Sequence, residues 1–162
     1  MSIMFRPLLI SLCLTSTTIA DIWTVDDDGK ADFNNIQAAV DAASDGDEII
    51  VMPGTYTGEG DEVVNILGKS LSIIGTGEPE ATIIDGEDSR RVFYCQSDSI
   101  FNVWLEGFTI QRGRNTFGGG LYSENANLNL SDCLVINNNA MECVLLLTCA
   151  VVYICELLLR LL

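Results

Sequence analysis

Four carboxylates and four guanidinium groups fall in one stretch of this chain: Asp85, Glu87, Asp88 and Asp98 beside Arg90, Arg91, Arg112 and Arg114. Two carboxylates and an arginine on neighbouring strands can move a proton and steady a developing anion, so these residues are the candidates for acid–base chemistry. Arg112 and Arg114 follow the apolar run ending at Ile110, where a substrate-facing turn belongs. The plainer reading, which we prefer, is that they balance nearby acids on a solvated surface. A second constellation, Asp26, Asp28 and Asp32 around Gly29, resembles a calcium loop, but no glutamate closes it, and Asp45 and Asp47 lie beyond the next helix. Calcium is kept as a candidate ligand against the simpler reading of a solvated acidic turn. Gly118-Gly119-Gly120 is not a phosphate loop, because no Lys-Ser/Thr or helix start follows it; it reads as a chain corner. No residue is assigned a catalytic, cofactor-binding or metal-binding role.

The sequence contains no histidine, which removes Ser-His-Asp and Cys-His catalysis, histidine-ligated zinc and histidine pH switching. Twenty-three acids against eight bases give a formal charge of −15, which speaks against nucleic acid as a partner. That charge sits in residues 21–140, between two apolar ends. Residues 1–20 have a basic start at Arg6, an apolar run Pro7–Leu14 too short to span a bilayer, and a small residue at Ala20, the order of a secretory signal cleaved near Asp21. Cys13 would leave with it. Cys95, Cys133, Cys143, Cys149 and Cys155 are then an odd, widely spaced set and no disulfide framework; Cys95 and Cys133 read as small core residues.

The elements that must position these groups are short. Ile22–Val25 alternates like a strand, and Glu48–Met52 is a short apolar run. Between them Ile36, Ala39, Val40 and Ala43 mark one face of a helix over about 34–43, with Asn34 or Asn35 as N-cap. Then come β-rich runs at Val63–Leu67, Leu71–Ile74, Thr82–Ile84, Val92–Cys95, Val103–Ile110 and Leu128–Ile136, separated by Gly, Asn, Asp and Ser. The pattern of Leu105, Phe108 and Ile110 returns at Leu130, Cys133 and Val135, 25 residues on, a spacing typical of a solenoid.

These residues resemble a known family. Val25–Tyr56, with its Asp-Asp-Asp-Gly turn, Phe-Asn-Asn-Ile-Gln-Ala-Ala-Val helix and Val-Met-Pro-Gly-Thr-Tyr close, is similar to the opening segment of right-handed parallel β-helix proteins of the pectin-lyase-like superfamily, pectin methylesterases among them. Val64–Gly75 and Thr82–Gly86 continue the likeness. Gly118–Tyr122 and Leu128–Ala140 resemble repeats of polymorphic outer-membrane proteins, with Val135 where phenylalanine is usual in an FxxN motif and Asn138 as its asparagine. The resemblance implies an all-β, right-handed parallel β-helix over 21–140 whose short helix caps the N-terminal end. It implies fold and not function. The esterase active-site motifs, a Gln-Asp pairing and an Asp-Phe-Ile-Phe-Gly-like strand, are missing; they would lie on further coils.

Met141–Leu162 has no Gly, Asn or Asp and leaves the repeat abruptly. It is expected to be an apolar, helical tail outside the solenoid, either a truncation artefact or a membrane segment. The expected function is an exported or cell-surface scaffold, the outer membrane included, or a carbohydrate- or surface-binding module without its own catalytic set. Its partner would be a polysaccharide or surface component, with membrane contact only through residues 141–162. The rival is the N-terminal fragment of a pectin esterase or polysaccharide lyase whose active site lies on missing coils; the acidic body counts against it, since it would repel a polyuronate.

Overall fold

In the computed structural model, residues 19–142, 151–154 and 159–161 are described. The chain winds as a parallel β-solenoid of five rungs. In chain order the elements are β1 (Ile22–Val25), α1 (Ile36–Ala42), β2 (Glu48–Val51), β3 (Gly54–Tyr56), β4 (Glu62–Asn65), β5 (Leu71–Gly75), β6 (Thr82–Asp85), β7 (Arg91–Glu106), β8 (Thr109–Gln111), β9 (Arg114–Phe117), β10 (Leu121–Ser131), β11 (Cys133–Ile136), β12 (Asn139–Glu142), β13 (Val151–Ile154) and β14 (Leu159–Leu161). Strands β1, β2, β5, β7 and β10 stack in parallel as the first sheet, which β4 joins through β7. Strands β3, β6, β8 and β11 form the second, and β9 with β12 the third. Leu130 pairs with Leu105, so the 25-residue offset is one turn of the solenoid, and the two segments run parallel, not as a hairpin.

Alternation along each strand turns one row of side chains inward. Ile49, Ile73, Leu105, Phe93 and Leu121 from the first sheet meet Ile84, Ile110 and Val135 from the second, with Phe108 from the corner before β8, in one continuous core. Cys95 and Cys133 are buried in it, and burial pushes the Cys95 thiol well above its ordinary range. The helix follows its sequence pattern: the Asn35 side chain accepts from the Ala38 N–H at 2.8 Å, and Ile36, Ala39, Val40 and Ala43 are buried. It packs against β1, β2 and β4.

A seven-residue helix is marginal alone. Lys69, from the next rung, reaches across its C-terminal end: Nζ donates to the carbonyls of Val40, Asp41 and Ala43 at 2.7, 3.1 and 2.8 Å. A cation there satisfies orphan carbonyls and opposes the helix dipole. Lys69→Met should therefore cost about 1–2 kcal/mol in urea unfolding, whereas Lys30→Met, at an exposed turn, should change little.

Several strand limits differ from expectation: Val103–Ile110 is divided at Gly107 between β7 and β8, and Leu128–Ile136 at Asp132 between β10 and β11, both residues taking positive φ at a corner. Val92–Cys95 and Val103–Glu106 belong to one strand, β7, which runs through the exposed segment 96–100 because it pairs with β4 along its first half and β5 along its second. Strands β9 and β12 were not expected: Arg114–Phe117 is polar and mostly exposed, so it shows no apolar alternation. Of the tail expected to be helical, Val151–Ile154 and Leu159–Leu161 are strands pairing antiparallel with β10 and β11; backbone pairing with the last rung is the alternative to a helix that these segments take. The remainder of the tail, and residues 1–18 of the expected signal, lie outside the described residues.

The first rung also has its outer edge closed from Thr24 to Asp26. Asp32 Oδ2 accepts from the Thr24 N–H and hydroxyl at 3.0 and 2.7 Å, Phe33 N–H donates to Thr24 O at 3.0 Å, and Asp26 N–H donates to Phe33 O at 3.0 Å.

Candidate ligand-binding face

Stacking brings several of the predicted groups to one corner. Asp85 ends β6 and is buried. Arg112, one rung on, grips it: Nε lies 2.9 Å from both carboxylate oxygens and a terminal nitrogen 2.7 Å from Oδ2. Gln111 Nε2 and the Glu87 N–H donate as well, at 2.9 and 2.8 Å. Burial by itself would raise the Asp85 carboxyl, but Arg112, the Glu87 N–H and Gln111 outweigh it and hold the group below the usual carboxylate range. A carboxylate saturated with donors and kept ionised is a poor proton acceptor. Arg90 pairs with Glu87 at 3.2 Å, and the Asp88 N–H donates to Arg112 O at 2.7 Å. Arg114 is exposed, with its N–H on Arg90 O at 2.8 Å. Asp98 stands apart, exposed midway along β7. This corner is a clasp between rungs. Arg112→Ala should lower the melting temperature by stranding a buried carboxylate, and Arg112→Lys should recover only part, because an ammonium lacks the fork. Asp88→Asn, at an exposed carboxylate whose residue joins the corner through its main-chain N–H, is the control expected to melt close to the parent.

The acidic turn is also committed. Asp32 serves Thr24, Asp28 pairs with Lys30, Asp26 accepts from the Asp28 N–H, and Asp27 accepts from the Thr55 N–H. Among the described residues no three potential ligands converge on a metal-sized site. Asp47, grouped in sequence only with that turn, is structural: Oδ1 accepts from the Asp21 N–H at 2.8 Å, and Oδ2 from the Ser44 N–H at 2.8 Å and Trp23 Nε1 at 3.1 Å. The Ser44 and Asp21 N–H groups, with Trp23, hold its carboxyl below the ordinary value. Asn138 likewise joins rungs, accepting from the Gly113 N–H at 2.7 Å and donating to Ile110 O at 2.9 Å.

Arg91 belongs to a different surface. It is nearly buried, bonded to Glu62 at 3.2 Å and to the Gly118 and Phe117 carbonyls at 3.1 and 2.9 Å. Its guanidinium lies 4.8 Å from the Tyr94 ring centre and 4.7 Å from that of Tyr122. The two tyrosines are register partners on β7 and β10, their ring centres 5.2 Å apart. Tyr122 donates to Glu124 at 2.8 Å, Gln96 donates to the same carboxylate at 2.7 Å, and Tyr94 donates to Gln96. The sequence singles out neither Tyr94 nor Tyr122; only the turn length shows that residues 28 apart are neighbours here.

This ledge adjoins a groove of roughly 590 Å³ walled by Asn35, Gln37, Glu59, Glu62 and Asn65, at the mouth between α1 and β4. Glu62 and Asn65 are shared: they pair in register with Arg91 and Tyr94. Gln37 fixes the near wall by bonding Asn65 as a strand would, accepting from its N–H at 2.7 Å and donating to its carbonyl at 3.1 Å. Amides, carboxylates and tyrosine rings along one surface can hydrogen-bond and stack on a ligand rich in hydroxyl groups.

The fold and this face define a parallel β-solenoid with an external groove of mixed lining, Val63 and Leu67 lying among its polar residues. No protein-family profile matches the chain. Over 109 residues, 65% of the chain, it is 36% identical to a cell surface glycoprotein of Methanothermus fervidus, of whose length it spans 15%.

Proposed function

We propose that this chain is an exported, surface-displayed β-helix module that holds a neutral saccharide chain along the Asn35–Asn65 groove and the Tyr94–Tyr122 ledge, without a catalytic set of its own. The observation that carries the reading is the groove itself, lined in part by Asn35, Gln37, Glu59, Glu62 and Asn65, whose Glu62 and Asn65 are register neighbours of Arg91 and Tyr94 beside the paired tyrosines. Glu59 and Glu62 in the wall favour a neutral glycan over a polyuronate, which would meet like charge in an acidic body. A surface location is supported by the likeness to a protein of the cell surface and by residues 1–20. Asp47 adds to this: cleavage at the Ala20–Asp21 bond would turn the Asp21 N–H on its carboxylate into an ammonium, strengthening a bond already made. The right-handed winding and pectin-lyase-like kinship rest on the opening segment Val25–Tyr56.

The test is affinity electrophoresis of the protein through gels carrying neutral polysaccharides, polygalacturonate, methylated pectin or alginate, with reducing-end assays alongside. Retardation by a neutral glycan, lost in the Asn65→Ala/Tyr122→Ala variant, is expected. Turnover of an acidic polymer would overturn the reading in favour of an enzyme.

A further inference from the structure

Of the asparagines in this sequence only Asn129 is followed, two positions on, by a serine or threonine, with a residue other than proline between: Asn129-Leu130-Ser131. That is the acceptor triplet for N-linked glycans, which needs the asparagine amide exposed and the hydroxyl residue beside it. The triplet lies on β10, and alternation places it well: Leu130 packs partly against the core, while Asn129 and Ser131 are exposed on the outer face. The Asn129 amide is lightly committed, with one bond of 3.3 Å to the carbonyl of Asn127 in its own strand. Among the described residues, no strand pairs with the far edge of Asn125–Ser131; β13 stops at Glu124.

A second observation is independent of the triplet. The register partner of Asn129 on the next strand is Trp104, whose side chain is 50% exposed. Its other register partner is Ser72. Asn102, two residues before it, accepts from Asn127 Nδ2 at 3.0 Å, and the Asn102 N–H donates to Ser70 Oγ at 3.2 Å. An indole left half in water on an open sheet is a flat apolar surface, and among the described residues no strand pairs beyond Asn129 to cover it. Directly opposed residues on one face lie about 5 Å apart, a distance at which a sugar ring attached to Asn129 can lie across the indole.

We infer that Asn129 is an N-glycosylation site and that Trp104 is the platform on which the first sugar rests. The inference rests on the proposed export, since attachment takes place on exported chains. In the reaction the Asn129 side-chain nitrogen forms a bond to the anomeric carbon of a saccharide activated as a glycosyl diphosphate. The anomeric carbon–oxygen bond breaks, the diphosphate leaves with the electron pair, and the amide gives up one proton to a base of the transferase. The groove near Asn35 lies on other strands and is left open, so a glycan at Asn129 and a ligand in the groove are compatible.

The experiment expresses the full chain in a secretory host with N-glycosylation, in one form behind its own residues 1–20 and in another behind a host leader. Secreted protein is treated with peptide N-glycosidase in heavy-oxygen water and mapped by peptide mass spectrometry. Heavy-oxygen label at Asn129 is expected, absent from Asn129→Gln and Ser131→Ala and retained in Ser131→Thr. Secreted protein without label at Asn129 overturns the inference while leaving export intact. Label in the host-leader form, with the native-leader form held in the cytosol, sustains the site and refutes export. Removing the glycan should also increase acrylamide quenching of tryptophan fluorescence, an increase lost in Trp104→Phe; unchanged quenching overturns the role of Trp104.

Discussion

Gly119→Val is expected to leave the last rungs unable to fold. A Cβ at Gly119 would sit 2.1 Å from Asn139 O and 2.8 Å from Gly113 O, and both obstacles are backbone. The reciprocal contact is as tight: a Cβ at Gly113 would lie 2.1 Å from Gly119 O. Side chains can turn aside, but here the main chain itself would have to move. Rungs are held about 4.8 Å apart by their hydrogen bonds, including Val92 N–H to Gly119 O at 3.0 Å and Asn139 N–H to Gly113 O at 2.8 Å. The cost should be about 4 kcal/mol or more, at the upper end for single substitutions. Urea unfolding followed by circular dichroism would show it as a lost or much earlier transition. Gly60→Ala, whose nearest obstacle is 3.8 Å away, is the matched control and should unfold with the parent. An unchanged midpoint for Gly119→Val would mean that the corner is not packed as described.

The second large effect is acid unfolding driven by Asp47 and Asp85. Both are buried, and both carboxyls are held below their usual range, Asp47 by the Ser44 and Asp21 N–H groups and Asp85 by Arg112 and its neighbours against the opposing effect of burial. A group whose folded pKa is depressed contributes stability that is complete above the unfolded value and disappears as pH falls through the folded value. The unfolded value is about 3.9, so this contribution is intact at neutral pH and is lost below about pH 4. An opposing trend acts first. The formal charge of −15 repels itself, and protonating exposed acids relieves that strain as pH falls from 7. Stability should therefore rise slightly to about pH 5 and then drop steeply. Asp47→Asn and Asp85→Asn should each lose about 2–3 kcal/mol at neutral pH, as charged hydrogen bonds become neutral ones, and should flatten the acid limb. Stability curves at a series of pH values decide the matter; an acid limb as steep in the double variant as in the parent would remove these two carboxylates from the account.

Much of the architecture was legible from residue order. The helix face Ile36–Ala43, the Asn35 cap, the inward rows of β2, β5 and β6, and the parallel step from Leu105 to Leu130 all express apolar periodicity that the chain carries locally. What escaped was polar and non-local. Strands β9 and β12 bury too little to show alternation, so only their pairing reveals them. Lys69 closes a helix more than 25 residues earlier, and Asp47 is bonded to Asp21 and Trp23 on the preceding rung. The arginine-rich stretch was readable as a cluster; its division into a clasp at Asp85 and a stacked cation between two tyrosines follows from the rung length. The groove residues Asn35, Gln37, Glu62 and Asn65 come from two elements that meet only when the helix folds back on β4.

The closed edge stretch of the first rung also sets how copies of this module can meet. A stack of parallel strands is a growing template, and each open end invites another chain to add itself, copy after copy, into a fibre. At the end formed by β1, the Thr24 and Asp26 amide protons and the Thr24 carbonyl are already taken by Asp32 and Phe33. Another chain adding at that end therefore finds the Thr24–Asp26 stretch of the edge already paired, and growth in register through those residues is blocked.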